Sequence, residues 1–160
     1  MRRFKTFTKF KLAVLAIIAL AALFANQSMA PNPALAPNCR VVHISDGDTF
    51  DVACNGSAKE RIRIMGYDTP ETYYAKCPAE KTLGDQATAR LRTLTRNREL
   101  TRLIRHGHDR YGRVLAEIWL GDENLADIMV REGLAMRYTG GQRADWCAAL
   151  AGGWGEVARP

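Results

Sequence analysis

The hydrophobic period of this chain changes from two to about 3.6 and back, and those switches fix the order of its elements. Arg40–Ile44 and Thr49–Cys54 are β-branched, apolar runs joined by Ser45-Asp46-Gly47-Asp48, the composition of a hairpin turn. Lys59–Met65 follows, with Ile62 and Ile64 on one face and Arg61 and Arg63 on the other. The period then lengthens: Leu83, Ala87, Leu91 and Leu94 recur at spacings of four, four and three, which predicts a helix over residues 83–96. Leu100–His106 and Arg113–Leu120 read as a second strand pair across the loop Gly107–Gly112. A second helix is predicted from Asn124 to Glu132, with Leu125, Ile128 and Met129 as its apolar face, Asn124 as its cap and Gly133 as its stop.

Strand, strand, strand, helix, strand, strand, helix is the arrangement of a five-stranded OB-fold β-barrel, a mainly β fold with helices of the α+β class. A chain of 160 residues suits one such domain. Ahead of it, Met1–Lys11 carries five cations and no acid, and Leu12–Ala25 is an unbroken apolar run of fourteen residues. A basic head before such a run reads as an export signal, since a spanning helix needs roughly 20 apolar residues. Residues 1–30 are therefore expected to be a signal peptide or an uncleaved anchor, 31–38 a linker rich in Pro, Asn and Ala, 39–147 the folded domain and 148–160 a tail. The product would be periplasmic or secreted, or attached to the membrane through residues 12–25 if the signal is retained.

Export bears on both charge and cysteine. The formal charge of +6 falls to near +1 without residues 1–30, because 18 basic residues then face 17 acidic ones. Any footprint for a polyanion must come from local placement of arginine rather than from bulk charge. Four cysteines in an exported chain imply disulfides, and three pairings are open. One has a physical argument. A tight turn centred on Asp46-Gly47 sets residues whose numbers sum to 93 opposite each other, which Cys39 and Cys54 satisfy. Cys77 would then pair with Cys147. No Cys-x-x-Cys or His-x-x-x-His pair suggests zinc.

Three segments place acids and guanidinium groups where strands give way to loops. These are Asp46-Gly47-Asp48-Thr49, Arg63 with Asp68-Thr69-Pro70-Glu71 five residues on, and Tyr111-Gly112-Arg113 at the start of the fifth strand. Each is a weak signal alone; the ordered set of three resembles the staphylococcal nuclease (thermonuclease) family over about residues 40–138, and Gly133-Leu134-Ala135 adds to it.

The resemblance implies a calcium-dependent endonuclease that hydrolyses the phosphodiester bonds of DNA and RNA, leaves 3′-phosphate ends and acts as a monomer. By it, Asp48, Asp68 and the backbone oxygen of Thr69 would hold one Ca2+ ion, and hard oxygen donors without His or Cys suit that ion. Asp46 would orient water beside it or serve the turn alone. Glu71 matches the family's proposed general base. Arg63 and Arg113 would grip the phosphate, whose equatorial oxygens gain charge as the bond breaks. Tyr111 matches the family's tyrosine beside the nucleotide and Tyr138 lies near another, where an aromatic face would stack on any base, or both pack as amphipathic tyrosines at the edge of the core. Arg61 reads as a solvated neighbour of Arg63, His43 as structural, and His106 and His108 as solvated loop residues. The loop Thr72–Lys81 departs from the family pattern, carrying Tyr73, Tyr74 and Cys77 in place of a lysine-rich stretch. An OB-fold that holds single strands without cutting them is the rival reading.

Overall fold

The computed structural model describes residues 38–154; the basic head, the apolar run, all but the last linker residue and the final six residues lie outside the described residues. Within them, β1 (Cys39–Asp46), β2 (Thr49–Cys54) and β3 (Glu60–Ile64) form an antiparallel meander. β4 (Gly66–Asp68) leads to helix α1 (Pro78–Asn97), then β5 (Leu100–His108), β6 (Val114–Leu120) and the short β7 (Glu123–Asn124). Helix α2 (Leu125–Arg131), β8 (Met136–Tyr138) and helix α3 (Trp146–Ala151) complete the order. The main sheet runs β1-β2-β3-β6-β5, with β3 and β6 parallel, and this mixed α+β arrangement has the strand order of an OB-fold. The described pairings leave that path open, with no ladder between β5 and β1, and β4 pairs antiparallel with β8 in a separate two-stranded sheet.

Period-two patterning is cleanest in β6, where Val114, Ala116, Ile118 and Leu120 are buried and the residues between them are half-buried. They join Phe50, Ile62 and Ile64 from the meander, Leu91 and Leu94 from α1, and Leu125, Ile128 and Met129 from α2 in one core. α2 begins and ends as its sequence requires: the Asn124 side chain accepts from the Ala126 N–H at 2.8 Å, and Gly133 turns the chain at φ 69°.

The short strands β4, β7 and β8 and the helix α3 are additions to the expected order, and two expected elements have other bounds. α1 starts at Pro78, a turn earlier than its apolar stripe suggests, because its first buried positions are Glu80 and Gly84 rather than Leu83. A side chain at 84 would put its Cβ 2.8 Å from the Pro70 carbonyl oxygen and 2.9 Å from that of Glu71. Glycine lets the loop bearing Glu71 lie directly on the helix. β5 continues through Gly107 to His108, so His106 and His108 are exposed strand residues, and His106 Nε2 reaches Glu117 at 2.8 Å. α3 crosses residue 147, where the domain was expected to end.

Cys39 stands opposite Cys54 and is bonded to it, and Cys77 is bonded to Cys147. The first pair meets as a sum of 93 requires, although the turn itself is centred elsewhere. Asp46 pairs with Thr49, so the turn centres on Gly47-Asp48, and two irregularities in β1 restore the expected register at the open end. Gly47 is required there by packing, since an added Cβ would lie 2.9 Å from both Ala87 Cβ and Thr69 Cγ2. The Cys77–Cys147 bond closes a loop of 70 residues. By the chain-entropy estimate its loss through paired serine substitutions should cost up to about 4 kcal/mol. A urea midpoint that does not move on removing this bond would show that the tie contributes nothing to stability.

Candidate active site

The turn between β1 and β2, the end of β3, the loop after β4 and the start of β6 open onto one cleft of about 890 Å³. Asp48, Arg63, Thr69, Glu71, Tyr111, Arg113 and Tyr138 all line it. Asp68 lies just beneath, 2 % exposed, and reaches the group through its partners.

Asp48 comes from the β1–β2 turn and Asp68 from β4, yet they share one guanidinium nitrogen: Arg63 Nη2 is 3.0 Å from Asp48 Oδ2 and 3.1 Å from Asp68 Oδ1. Thr49 pairs with Arg63 across the β2–β3 ladder, and its hydroxyl donates to Asp48 Oδ1 at 2.9 Å. The Thr69 hydroxyl donates to Asp48 Oδ2 at 3.3 Å. Arg63 also donates through Nη1 to the carbonyls of Ile64 and Tyr67, at 2.6 and 3.3 Å. Its first duty is thus to the two buried carboxylates under the cleft floor, a partnership the β-strand pattern did not reveal.

Arg113 is the more available guanidinium. Asp109 holds it through Oδ2 to Nε at 2.7 Å, and Nη1 donates to the Thr49 hydroxyl at 3.3 Å. No contact among the described residues uses its Nη2. Burial alone would raise the Asp109 carboxyl, but the Arg113 side chain and the backbone N–H groups of Arg113 and Tyr111 outweigh it and hold the group below the usual carboxylate range.

Burial and the neighbouring Asp48 carboxylate push Asp46 up to about 6. Burial also raises Asp68, against Arg143 and Arg63, which favour its ionised form. Both shifts come first from burial, and Arg63 and Arg143 already stand against Asp48 and Asp68. Asp48, Asp68 and the Thr69 backbone offer a cation hard oxygens only, so the residues fit a calcium ion. The cluster Cys77, Glu80 and Cys147 does not compete, because both sulfurs are in the disulfide.

The aromatic residues divide by exposure. Tyr111 is 68 % exposed, with the Arg110 guanidinium carbon 4.8 Å from its ring centre and that of Arg113 at 5.5 Å. Tyr138 is half-buried and donates to the Gly141 carbonyl at 2.7 Å. Arg61 is turned aside to Asp51, through Nε at 2.8 Å. His43 is exposed on β1 and lies off the cleft lining.

Comparison with known proteins settles the lineage of this arrangement. Residues 61–148 match the family model described as staphylococcal nuclease homologue, a stretch that includes Arg63, Asp68, Glu71 and Arg113. The chain belongs to the staphylococcal nuclease family. It is 32 % identical over 129 residues to a thermonuclease of Staphylococcus hyicus, covering 78 % of this chain and 76 % of that one. A thermonuclease of Staphylococcus intermedius is 37 % identical over 59 % of this chain and 56 % of its own. An uncharacterized endonuclease of Haemophilus influenzae is 35 % identical over 62 % and 52 %. The chain spans little more than half the length of these last two.

Within this staphylococcal nuclease fold, three supports escaped the sequence reading. Arg143 reaches back from the segment after β8, placing Nε 3.0 Å from Asp68 Oδ1 and pairing Nη1 with Glu71 Oε1. The Trp146 indole N–H donates to Asp68 Oδ2 at 3.4 Å. The third is the buried phenol of Tyr67, which donates to the Gly47 carbonyl at 2.9 Å and pins the turn that carries Asp48. These contacts span from 20 to 78 residues of chain, beyond any local pattern.

Proposed function

We propose that this chain is an exported calcium-dependent nuclease that hydrolyses phosphodiester bonds of DNA and RNA and leaves 3′-phosphate ends. One observation carries the reading: two aspartates, a glutamate and two arginines from four separate segments converge on a single cleft. Membership of a family whose relatives include thermonucleases adds to it.

Glu71 has Oε1 engaged by Arg143, which aims the carboxylate and leaves Oε2 for a water molecule. That oxygen would take the proton as the water attacks phosphorus. Arg113 would meet the equatorial oxygens of the phosphate through Nη2, held in place by Asp109 and Thr49. Arg63, buried beneath, neutralises Asp48 and Asp68 and lends its charge to the same oxygens. When bound at Asp48, Asp68 and the Thr69 carbonyl, a calcium ion would polarise a phosphate oxygen and spread its growing charge. Tyr111 and Tyr138, which both line the cleft, would flank the nucleotide.

Residues 1–30 would direct export, and residues 12–25 would hold the protein at the membrane where the signal is not cleaved. The domain would begin near Cys39, act as a monomer and rely on its two disulfides outside the reducing cytoplasm.

Cleavage of plasmid DNA and of RNA by residues 31–160, with calcium and then with chelator, tests the reading. Cleavage that continues unchanged in chelator rejects the metal role, and binding without cleavage under any condition rejects the enzyme. Asp48→Asn should weaken calcium binding at least tenfold by calorimetry, because a charged ligand becomes a neutral one. Unaltered affinity would remove Asp48 from the ion's shell.

A further inference from the structure

The loop between β4 and α1 exposes two neighbouring aromatic residues, Tyr73 at 89 % and Tyr74 at 86 %. Aromatic surface left in water is unfavourable unless something covers it in use. Tyr74 lines the same cleft as Glu71 and Arg113.

The loop that displays them is fixed at both ends. The Glu80 carboxylate, 4 % exposed, accepts from the Glu71 N–H at 3.4 Å and from the Lys76 N–H at 2.6 Å. Cys77 is bonded to Cys147, and Gly84 brings α1 into close contact with the carbonyls of Pro70 and Glu71. A buried carboxylate, a disulfide and a packing glycine thus hold a short loop whose most prominent side chains contact solvent. A loop ordered in advance loses little entropy when its side chains meet a ligand.

We propose that Tyr74, with Tyr73 beside it, is a stacking platform for unpaired nucleobases in the cleft that Glu71, Arg110 and Tyr111 also line. The inference rests on the nuclease reading above and deepens it, because it names the strand state of the substrate. Guanidinium groups on the cleft floor suit the phosphate backbone, while a free aromatic face suits a base face. Bases in a duplex are already stacked and have no free face for Tyr74, so the platform takes bases from single strands or frayed ends.

Binding of a labelled oligo(dT) is to be read by fluorescence anisotropy at fixed salt in chelator, and cleavage of the same oligonucleotide is to be read separately with calcium. Tyr74→Ala should raise Kd for oligo(dT) about tenfold, and Tyr73→Ala with Tyr74→Ala should raise it further. Tyr74→Phe should bind as wild type does, since stacking needs the ring and not the hydroxyl. Wild type should bind an abasic oligomer of equal length as weakly as Tyr74→Ala binds oligo(dT), and affinity for a duplex should be the same in both. An unchanged Kd in Tyr74→Ala, or a phenylalanine variant as weak as the alanine one, overturns the platform. Wild type that binds oligo(dT) through Tyr74 yet never cuts it overturns the nuclease reading instead.

Discussion

Replacing Glu71 with glutamine should lower turnover about a thousandfold while leaving the protein folded and able to bind calcium. The size follows from losing a positioned general base, which contributes typically 10²–10⁴-fold. The substitution is diagnostic because of Arg143. A glutamine oxygen still accepts from Nη1 of that arginine, so the side chain keeps its aim and loses only its ability to take a proton. Calorimetry should find calcium affinity within a few-fold of wild type, and the melting temperature should be retained, as Glu71 is half-exposed at 39 %. Wild-type turnover in this variant would take Glu71 out of the chemistry and leave it as an anchor for Arg143.

Arg113→Lys should be nearly as damaging, with a fall of about 10²–10³ in kcat. Arginine at 113 meets Asp109 with Nε and Thr49 with Nη1, and still has Nη2 to offer. A single ammonium cannot hold Asp109 and present a second donor to the phosphate in the same plane. Lysine would keep the ion pair with Asp109, so stability should change little; the loss should appear in the chemical step and in affinity for a nucleoside 3′,5′-bisphosphate. A lysine variant that works at the wild-type rate would show that one positive charge there is sufficient and that forked geometry is not used.

Arg63 provides the contrast. It is 6 % exposed, and its removal would leave Asp48 and Asp68 buried without their shared cation. Loss of activity at Arg63 therefore mixes catalysis with folding, whereas loss at Arg113 does not.

The sequence made the acid and arginine segments legible because each sits where a period-two strand meets a turn. Asp46-Gly47-Asp48-Thr49 and Arg63 could be placed from alternation alone, and β2 has the predicted bounds. β4 and β8 were missed because three residues hold no measurable period. The first turn of α1 was missed because it buries Glu80, an acid, where a hydrophobic pattern looks for leucine. Arg143 had no local signal: it follows two glycines in a loop, and its partners Asp68 and Glu71 lie more than seventy residues earlier. A pairing of that kind depends on where the β4–β8 ladder brings the chain back, which no short window contains.

That ladder also sets an order of events. Asp68 pairs with Met136 in it and receives the Trp146 indole from beyond it. A chain synthesised from its N-terminus can assemble the meander and α1 while Asp68 still lacks both supports. The support of Asp68 is consequently completed late, and a polypeptide cut short between Val114 and Met136 keeps Asp48, Arg63, Asp68, Glu71 and Arg113 but lacks the strand, Arg143 and Trp146 that brace Asp68.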